Sequence, residues 1–134
     1  MSDGKVAVLS GIIGELSAYD RRGVNWSPKD GFEAVDRAGL RIQIKTRRKR
    51  DDRDKSPRMG KFKLTNGAYQ FDVGWYVELD EDFDILEIWE APKKTILGLQ
   101  KNTDKGIPVR KFKKNAKPIA IRSAFMSTSI RLGR

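Results

Sequence analysis

The stretch Phe32 to Thr46, FEAVDRAGLRIQIKT, decides the fold. FEAVD and LRIQIKT each alternate apolar and polar residues, the period of a strand with one buried face. Between them stand Arg37, Ala38 and Gly39, a connection whose glycine suits the left-handed position that follows a type I turn. The segment is therefore predicted to be a β-hairpin. If Asp36 lies opposite Leu40, Glu33 falls opposite Gln43. Side chains on one face recur every second residue, so Lys45 joins that face while Ile42 and Ile44 point to the other. A carboxylate, a carboxamide and an ammonium thus converge on one patch of sheet. Asp36 sits at the turn, off that face, and Asp30 in the preceding loop is a supporting acid.

Upstream, Val6, Leu9, Ile12, Ile13 and Leu16 recur at helical spacing, which predicts a helix with Glu15 just beyond its apolar positions. Gly23 to Gly31, containing Ser27, Pro28 and Lys29, reads as a loop, with Trp26 as a cap on the core. Downstream, RRKRDDRDKSPRMGKFK is a run of charge that predicts an exposed loop or arm without core residues. AYQFDVGWYVELD and FDILEIWEA predict two long antiparallel strands joined through Asp80, Glu81 and Asp82, with Trp75 and Trp89 in the core and Pro92 ending the second. Lys93 to Gln100 predicts a short helix and Lys101 to Gly106 a polar loop. The tail from Pro108 alternates basic and apolar residues, which predicts one or two short strands carrying cations outward, with Phe112 in the core. Neither an internal repeat nor a linker divides the chain, so residues 1–134 are expected to form a single domain.

Composition removes whole classes of chemistry. The chain has no His and no Cys, which excludes a Ser-His-Asp triad, a thiol nucleophile and a Cys/His zinc site. Any metal must be held by oxygen, the preference of Mg²⁺, Mn²⁺ and Ca²⁺. With 28 Lys or Arg against 18 Asp or Glu, the net charge is +10. Such an excess favours a polyanionic partner, nucleic acid first, because phosphate contacts release counterions. No apolar run reaches the length of a membrane helix, and no basic segment precedes the apolar stretch near the N-terminus, so a soluble, unprocessed protein is expected. The lack of Cys is compatible with the reducing cytoplasm, the expected location.

The string DGFEAVDRAGLRIQIKTRR, preceded by GIIGELSAY, resembles the PD-(D/E)xK nuclease superfamily, particularly compact members in which a helix bearing Gly-Glu precedes the hairpin. The likeness covers about the first 50 residues and, less distinctly, the strands Phe71 to Glu90. It implies an α/β (α+β) fold of restriction endonuclease-like type, a mixed central sheet flanked by helices in αβββαβ order. It also implies Mg²⁺-dependent, or Mn²⁺-dependent, cleavage of phosphodiester bonds. By that resemblance Glu33 is the acidic metal ligand, Gln43 the second ligand, Lys45 the catalytic lysine and Glu15 a further metal-ligating acid from the helix. Gln43 stands where an acid is commoner, which removes one negative charge. Residues 47–67 lack the apolar stripe of the helix that should follow the lysine strand, so a loop or shortened helix is expected there.

Arg47, Arg48, Lys49 and Arg50 leave directly from the Lys45 strand and are assigned to grip phosphates flanking the cut, with Ser27 and Lys29 on the same binding surface. The resulting expectation is a metal-dependent endonuclease acting on nucleic acid, DNA by preference, with a homodimer to cut both strands of a duplex. Two rivals stay open: a non-catalytic nucleic-acid-binding protein that retains the nuclease scaffold, and an unrelated basic assembly protein in which Glu33, Gln43 and Lys45 share no pocket.

Overall fold

A computed structural model describes residues 23–29, 31–49, 56–65, 68–101 and 103–119. The expected first helix with Glu15, and also Asp30 and Arg50, lie outside the described residues. In chain order the elements are β1 (Asn25–Lys29), β2 (Phe32–Val35), β3 (Arg41–Arg48), β4 (Leu64–Thr65), β5 (Ala68–Tyr69), β6 (Val73–Leu79), β7 (Ile85–Pro92), α1 (Lys93–Lys101), α2 (Val109–Lys114) and β8 (Lys117–Pro118). The described residues form a mixed α+β structure around a six-stranded sheet of order β1-β2-β3-β6-β7-β8, with β4 and β5 as a separate ribbon. Strands β3 and β6 run parallel; every other neighbouring pair is antiparallel.

The β2–β3 hairpin has the register expected from its sequence, with Ala34 opposite Ile42 and Val35 opposite Arg41. The turn is built as its residues require. Asp36 accepts the N–H groups of Ala38 and Leu40 on Oδ1, and Gly39 takes φ +87°, a value that a side chain would strain. The parallel register of β3 on β6 is set by a clamp at their starts. Asp72 accepts the Arg41 backbone N–H at 2.8 Å and its guanidinium at 3.0 and 3.1 Å, while the Asp72 N–H donates to the Arg41 carbonyl. Hydrogen bonding from Arg41 holds the Asp72 carboxyl below its ordinary range, against the opposing effect of burial.

Two cores line the two faces of the sheet. On one face Ile42, Ile44, Trp75, Val77, Leu79 and Ile88 pack with Val24 and Ala34. On the other, Tyr76 and Ala91 meet Met59, Phe62, Phe71, Ile96, Ile107 and Phe112. Strand β6 is buried along its whole length, as a central strand covered on both sides must be. At Gly74 the second layer comes so close that a Cβ would collide with Ile96 of α1 and the Phe62 ring.

Three expectations are corrected. Gly23 to Gly31 contains β1, not only loop; as the sheet's edge it tolerates Pro28, which lacks a donor. The charged run after Thr46 does supply core, because Met59 and Phe62 are each 2% exposed and sit three residues apart among cations. The stretch after Pro108 begins with a helix rather than a strand, burying Val109 and Phe112 at helical spacing; among the described residues of the tail Lys117–Pro118 forms a strand, and residues 120–134 lie outside them. The helix missing from the pattern after the lysine strand is also missing among the described residues there, where β4 and β5 stand instead.

Candidate nucleic-acid site

Strand alternation carries Gln43, Lys45 and Arg47 onto the face that α1 and α2 cover, and the hairpin register brings Glu33 beside Gln43. Across β6 the same rows continue, with Gln43 level with Gly74, Lys45 with Tyr76 and Arg47 with Glu78. Glu33, Gln43 and Lys45 therefore share one face, as the sequence predicts.

The hairpin opens at this point. The two strands are paired at Ala34 and Ile42, but the next inward N–H, that of Ile44, is taken by the Glu33 carboxylate at 2.6 Å. Gln43 is 1% exposed, and its amide is bound at both ends by main chain. Nε2 donates to the Gly31 carbonyl at 2.7 Å, and Oε1 accepts the Lys63 N–H at 2.7 Å. A buried amide that satisfies a carbonyl and an N–H at once ties the entry to β2 to the segment that crosses the sheet face.

That segment is the wall of the site. It is fastened again by Gln100 of α1, whose Oε1 accepts the Phe62 N–H at 2.9 Å while Nε2 donates to the Phe62 carbonyl at 3.0 Å. Farther along, Met59 donates to the Ile107 carbonyl and Val109 to that of Pro57. Thus held, Phe62 presents its ring to the Lys45 ammonium, with Nζ 5.9 Å from the centroid. Lys45 is half-buried, with the Phe62 ring as an apolar flank beside its ammonium.

A second polar cluster adjoins this row. Tyr76 donates its hydroxyl to Glu78 Oε1 at 2.9 Å, Lys113 of α2 lies 3.6 Å from that oxygen and 2.7 Å from Glu87 Oε1, and Trp89 donates to Glu87 at 2.7 Å. The Lys113 ammonium also lies over the Tyr76 and Trp89 rings. Burial, with Glu78 beside it, pushes the Tyr76 hydroxyl far above the ordinary phenol range, so it remains a donor. At Glu87 burial acts upward, but hydrogen bonds from Lys113 and Trp89 and the nearby Lys49 hold the carboxyl below its usual range.

The basic cluster expected to grip phosphates is split by the strand. Arg47 shares the face of Lys45, whereas Arg48 alternates to the opposite face, where its guanidinium lies 4.8 Å from the Phe83 ring centroid. Lys49 is exposed just past the strand end, and its N–H donates to the Leu79 carbonyl. Ser27 and Lys29 lie on the edge strand. Ser27 is half-buried and lies within the register shift that follows Trp26, the partner of Ala34; Lys29, at the far side of that shift, is exposed. Trp26 packs against the first core, as a cap should. Sequence reasoning missed Tyr76, Glu78, Glu87, Lys113 and the Phe62 wall, since they reach Lys45 and Arg47 only through the parallel pairing and the crossing segment.

Among the described residues, no three Asp, Glu, His or Cys side chains gather to hold a metal ion. The donors of the row are nonetheless of the right kind for a hard cation. Glu33 supplies a carboxylate, and the Gln43 carbonyl oxygen has a second lone pair besides the one facing Lys63. No described helix is long and apolar enough to cross a membrane. No protein-family model and no curated protein matches the chain.

Proposed function

We propose that this chain is a metal-dependent endonuclease of the PD-(D/E)xK type that hydrolyses phosphodiester bonds, with DNA as the preferred substrate. The observation that carries the reading is the gathering of Glu33, Gln43 and Lys45 on one face of a mixed sheet whose three-strand meander continues into a parallel partner. Glu33 and Gln43 would hold Mg²⁺ or Mn²⁺, with Glu15 as a further ligand. When bound, that ion supplies Lewis acidity toward a phosphate oxygen and lowers the pKa of a coordinated water. Lys45 presents a positive charge to the negative charge that develops at phosphorus, and the Phe62 ring shields one side of its ammonium from water. The excess of ten positive charges draws the polyanion to the face, so binding should weaken as salt rises. A homodimer, which would bring two such faces to the two strands of a duplex, belongs to the same proposal, as does action in the cytoplasm.

One observation favours the rival, a scaffold that binds nucleic acid without cutting it. The Gln43 amide already serves main chain at both ends, a structural duty sufficient to explain its place. Plasmid nicking separates the two. A catalytic site predicts cleavage in Mg²⁺ or Mn²⁺ that falls by at least about a hundredfold in Lys45→Ala, with DNA binding retained. Binding without cleavage in either metal supports the scaffold.

A further inference from the structure

We infer that the outward side of α2 is a second phosphate grip: Arg110, Lys111 and Lys114, with Lys61 of the crossing segment, contact the nucleic-acid backbone beside the stretch engaged at Lys45. The inference rests on the functional reading of the Lys45 face and adds to it the path that the polyanion takes.

Charge is segregated along this chain. Residues 72–92, which contain β6, β7 and their turn, hold eight Asp or Glu and no Lys or Arg. Residues 93–119, which contain α1, α2 and β8, hold nine Lys or Arg and one acid, Asp104. Nine cations less one acid give this segment a charge of +8, against +10 for the whole chain. A polyanion is therefore drawn to the helical layer and repelled from the β6–β7 end of the sheet.

The orientation of α2 is fixed from inside. Phe112 is fully buried and Val109 is 4% exposed, and Lys113 is held to the sheet by Glu87 at 2.7 Å. The other three cations of the helix, Arg110, Lys111 and Lys114, are exposed. By helical geometry Lys114 falls about 40° from Arg110 and about 60° from Lys111, so the three form one stripe on the side away from Phe112. Side chains so spaced stand about 5–6 Å apart at Cβ. They can meet successive phosphates of a strand, which follow every ~3.4 Å of duplex axis.

This stripe adjoins the Lys45 site through two aromatic rings. The Lys45 ammonium lies 5.9 Å from the Phe62 ring centroid, and that ring stacks on Phe112 of α2 with centroids 6.2 Å apart. Exposed Lys61 stands between Phe62 and Gly60, the residue whose backbone backs the Lys45 stem. Among the described residues no acid pairs with Lys61, Arg110, Lys111 or Lys114. Folding alone does not call for this pattern. The helix dipole favours a cation in the last turn but disfavours Arg110 in the first, and like charges three and four residues apart repel. A bound polyanion reverses the sign of every one of these costs.

The test is fluorescence anisotropy of a labelled duplex oligonucleotide in EDTA across a salt series, with thermal melts run on every variant. Arg110→Gln, Lys111→Gln and Lys114→Gln combined should weaken binding at least about thirtyfold near 0.1 M salt and lower the slope of log K against log salt by about 2–3. Lys61→Gln alone should weaken binding about threefold. Adding Glu81→Gln, Asp82→Asn and Asp84→Asn, three exposed acids of the β6–β7 turn, to the α2 variant returns the net charge to +10. A local grip requires binding to stay at least about tenfold below wild type in that charge-restored variant. Recovery of wild-type affinity and slope there would show that net charge alone acts, and overturns the grip. Unchanged affinity and slope in the α2 variant overturn it as well, and leave the nuclease reading standing. Failure of the wild-type chain to bind nucleic acid at any salt removes the underlying reading itself.

Discussion

Replacing Gln43 by Glu changes one group, the amide nitrogen that donates to the Gly31 carbonyl at 2.7 Å. The new side chain has the same shape and still accepts the Lys63 N–H, but at neutral pH two oxygens face each other without a hydrogen between them. The site is 1% exposed, so burial and the facing carbonyl both raise the pKa of the new carboxyl. Once protonated, it can donate to Gly31 as the amide did, so the penalty is bounded by the free energy of protonation. From an unfolded pKa of about 4.3, that bound is about 3.7 kcal/mol at pH 7 and about 1 kcal/mol at pH 5. A group whose folded pKa is raised binds more protons in the folded state. Stability of the variant relative to wild type therefore falls as pH rises from about 4.3 through the folded pKa. Urea unfolding at pH 5 and pH 7 reads this directly. A divalent cation at the Glu33 and Gln43 oxygens would offset the buried charge, so Mg²⁺ should raise the midpoint of the variant more than that of wild type. At about a hundredfold excess over Kd the gain is about 2.7 kcal/mol. A variant as stable as wild type at pH 7 in EDTA would refute the tie that Gln43 is argued to make.

Other consequences are as specific. Gly74→Ala drives a methyl group into Ile96 and the Phe62 ring and should cost about 1–3 kcal/mol in chemical denaturation, loosening the wall beside Lys45; no loss would mean that the two layers do not approach as described. Asp72→Asn removes the charge that pairs with Arg41. Both groups are about a third exposed, so solvent screening limits the ion-pair contribution to about 0–1 kcal/mol. The folded pKa of Asp72 is lowered, so this contribution is full above the unfolded value near 3.8 and is lost as pH falls through the folded pKa. The stability gap between Asp72→Asn and wild type should accordingly narrow in acid, and a gap independent of pH would contradict the assignment.

The hairpin was readable from sequence because its information is local. Alternation in FEAVD and LRIQIKT, with Gly39 at the turn, determines which residues oppose each other, and the observed pairing of Ala34 with Ile42 is the expected one. The strands on either side of the acidic turn and the helix after Pro92 were legible for the same reason. What failed depends on contacts distant in sequence. Met59 and Phe62 look like isolated apolar residues in a charged run until Gln43 and Gln100 pin the backbone at Phe62 and Lys63, and the Ile107 carbonyl that at Met59, over the sheet. β1 is a strand because it has β2 to pair with, and its Pro28 is harmless only at an edge. In VRKFKK the alternation suggested a strand, but Val109 and Phe112 are three apart and a helix buries both. The pairing of Lys45 with Tyr76 and Arg47 with Glu78 arises from a parallel register set by Asp72, which no nearby residue announces.

The central claim is that Glu33 and Gln43 hold a divalent cation beside Lys45, and anomalous diffraction from crystals soaked in Mn²⁺ tests it most directly. The account predicts a peak within about 2.2 Å of a Glu33 carboxylate oxygen and the Gln43 carbonyl oxygen, with the Lys63 N–H still bound to that carbonyl. Full occupancy of Mn²⁺ elsewhere on the chain, with no density at these two oxygens, would contradict it.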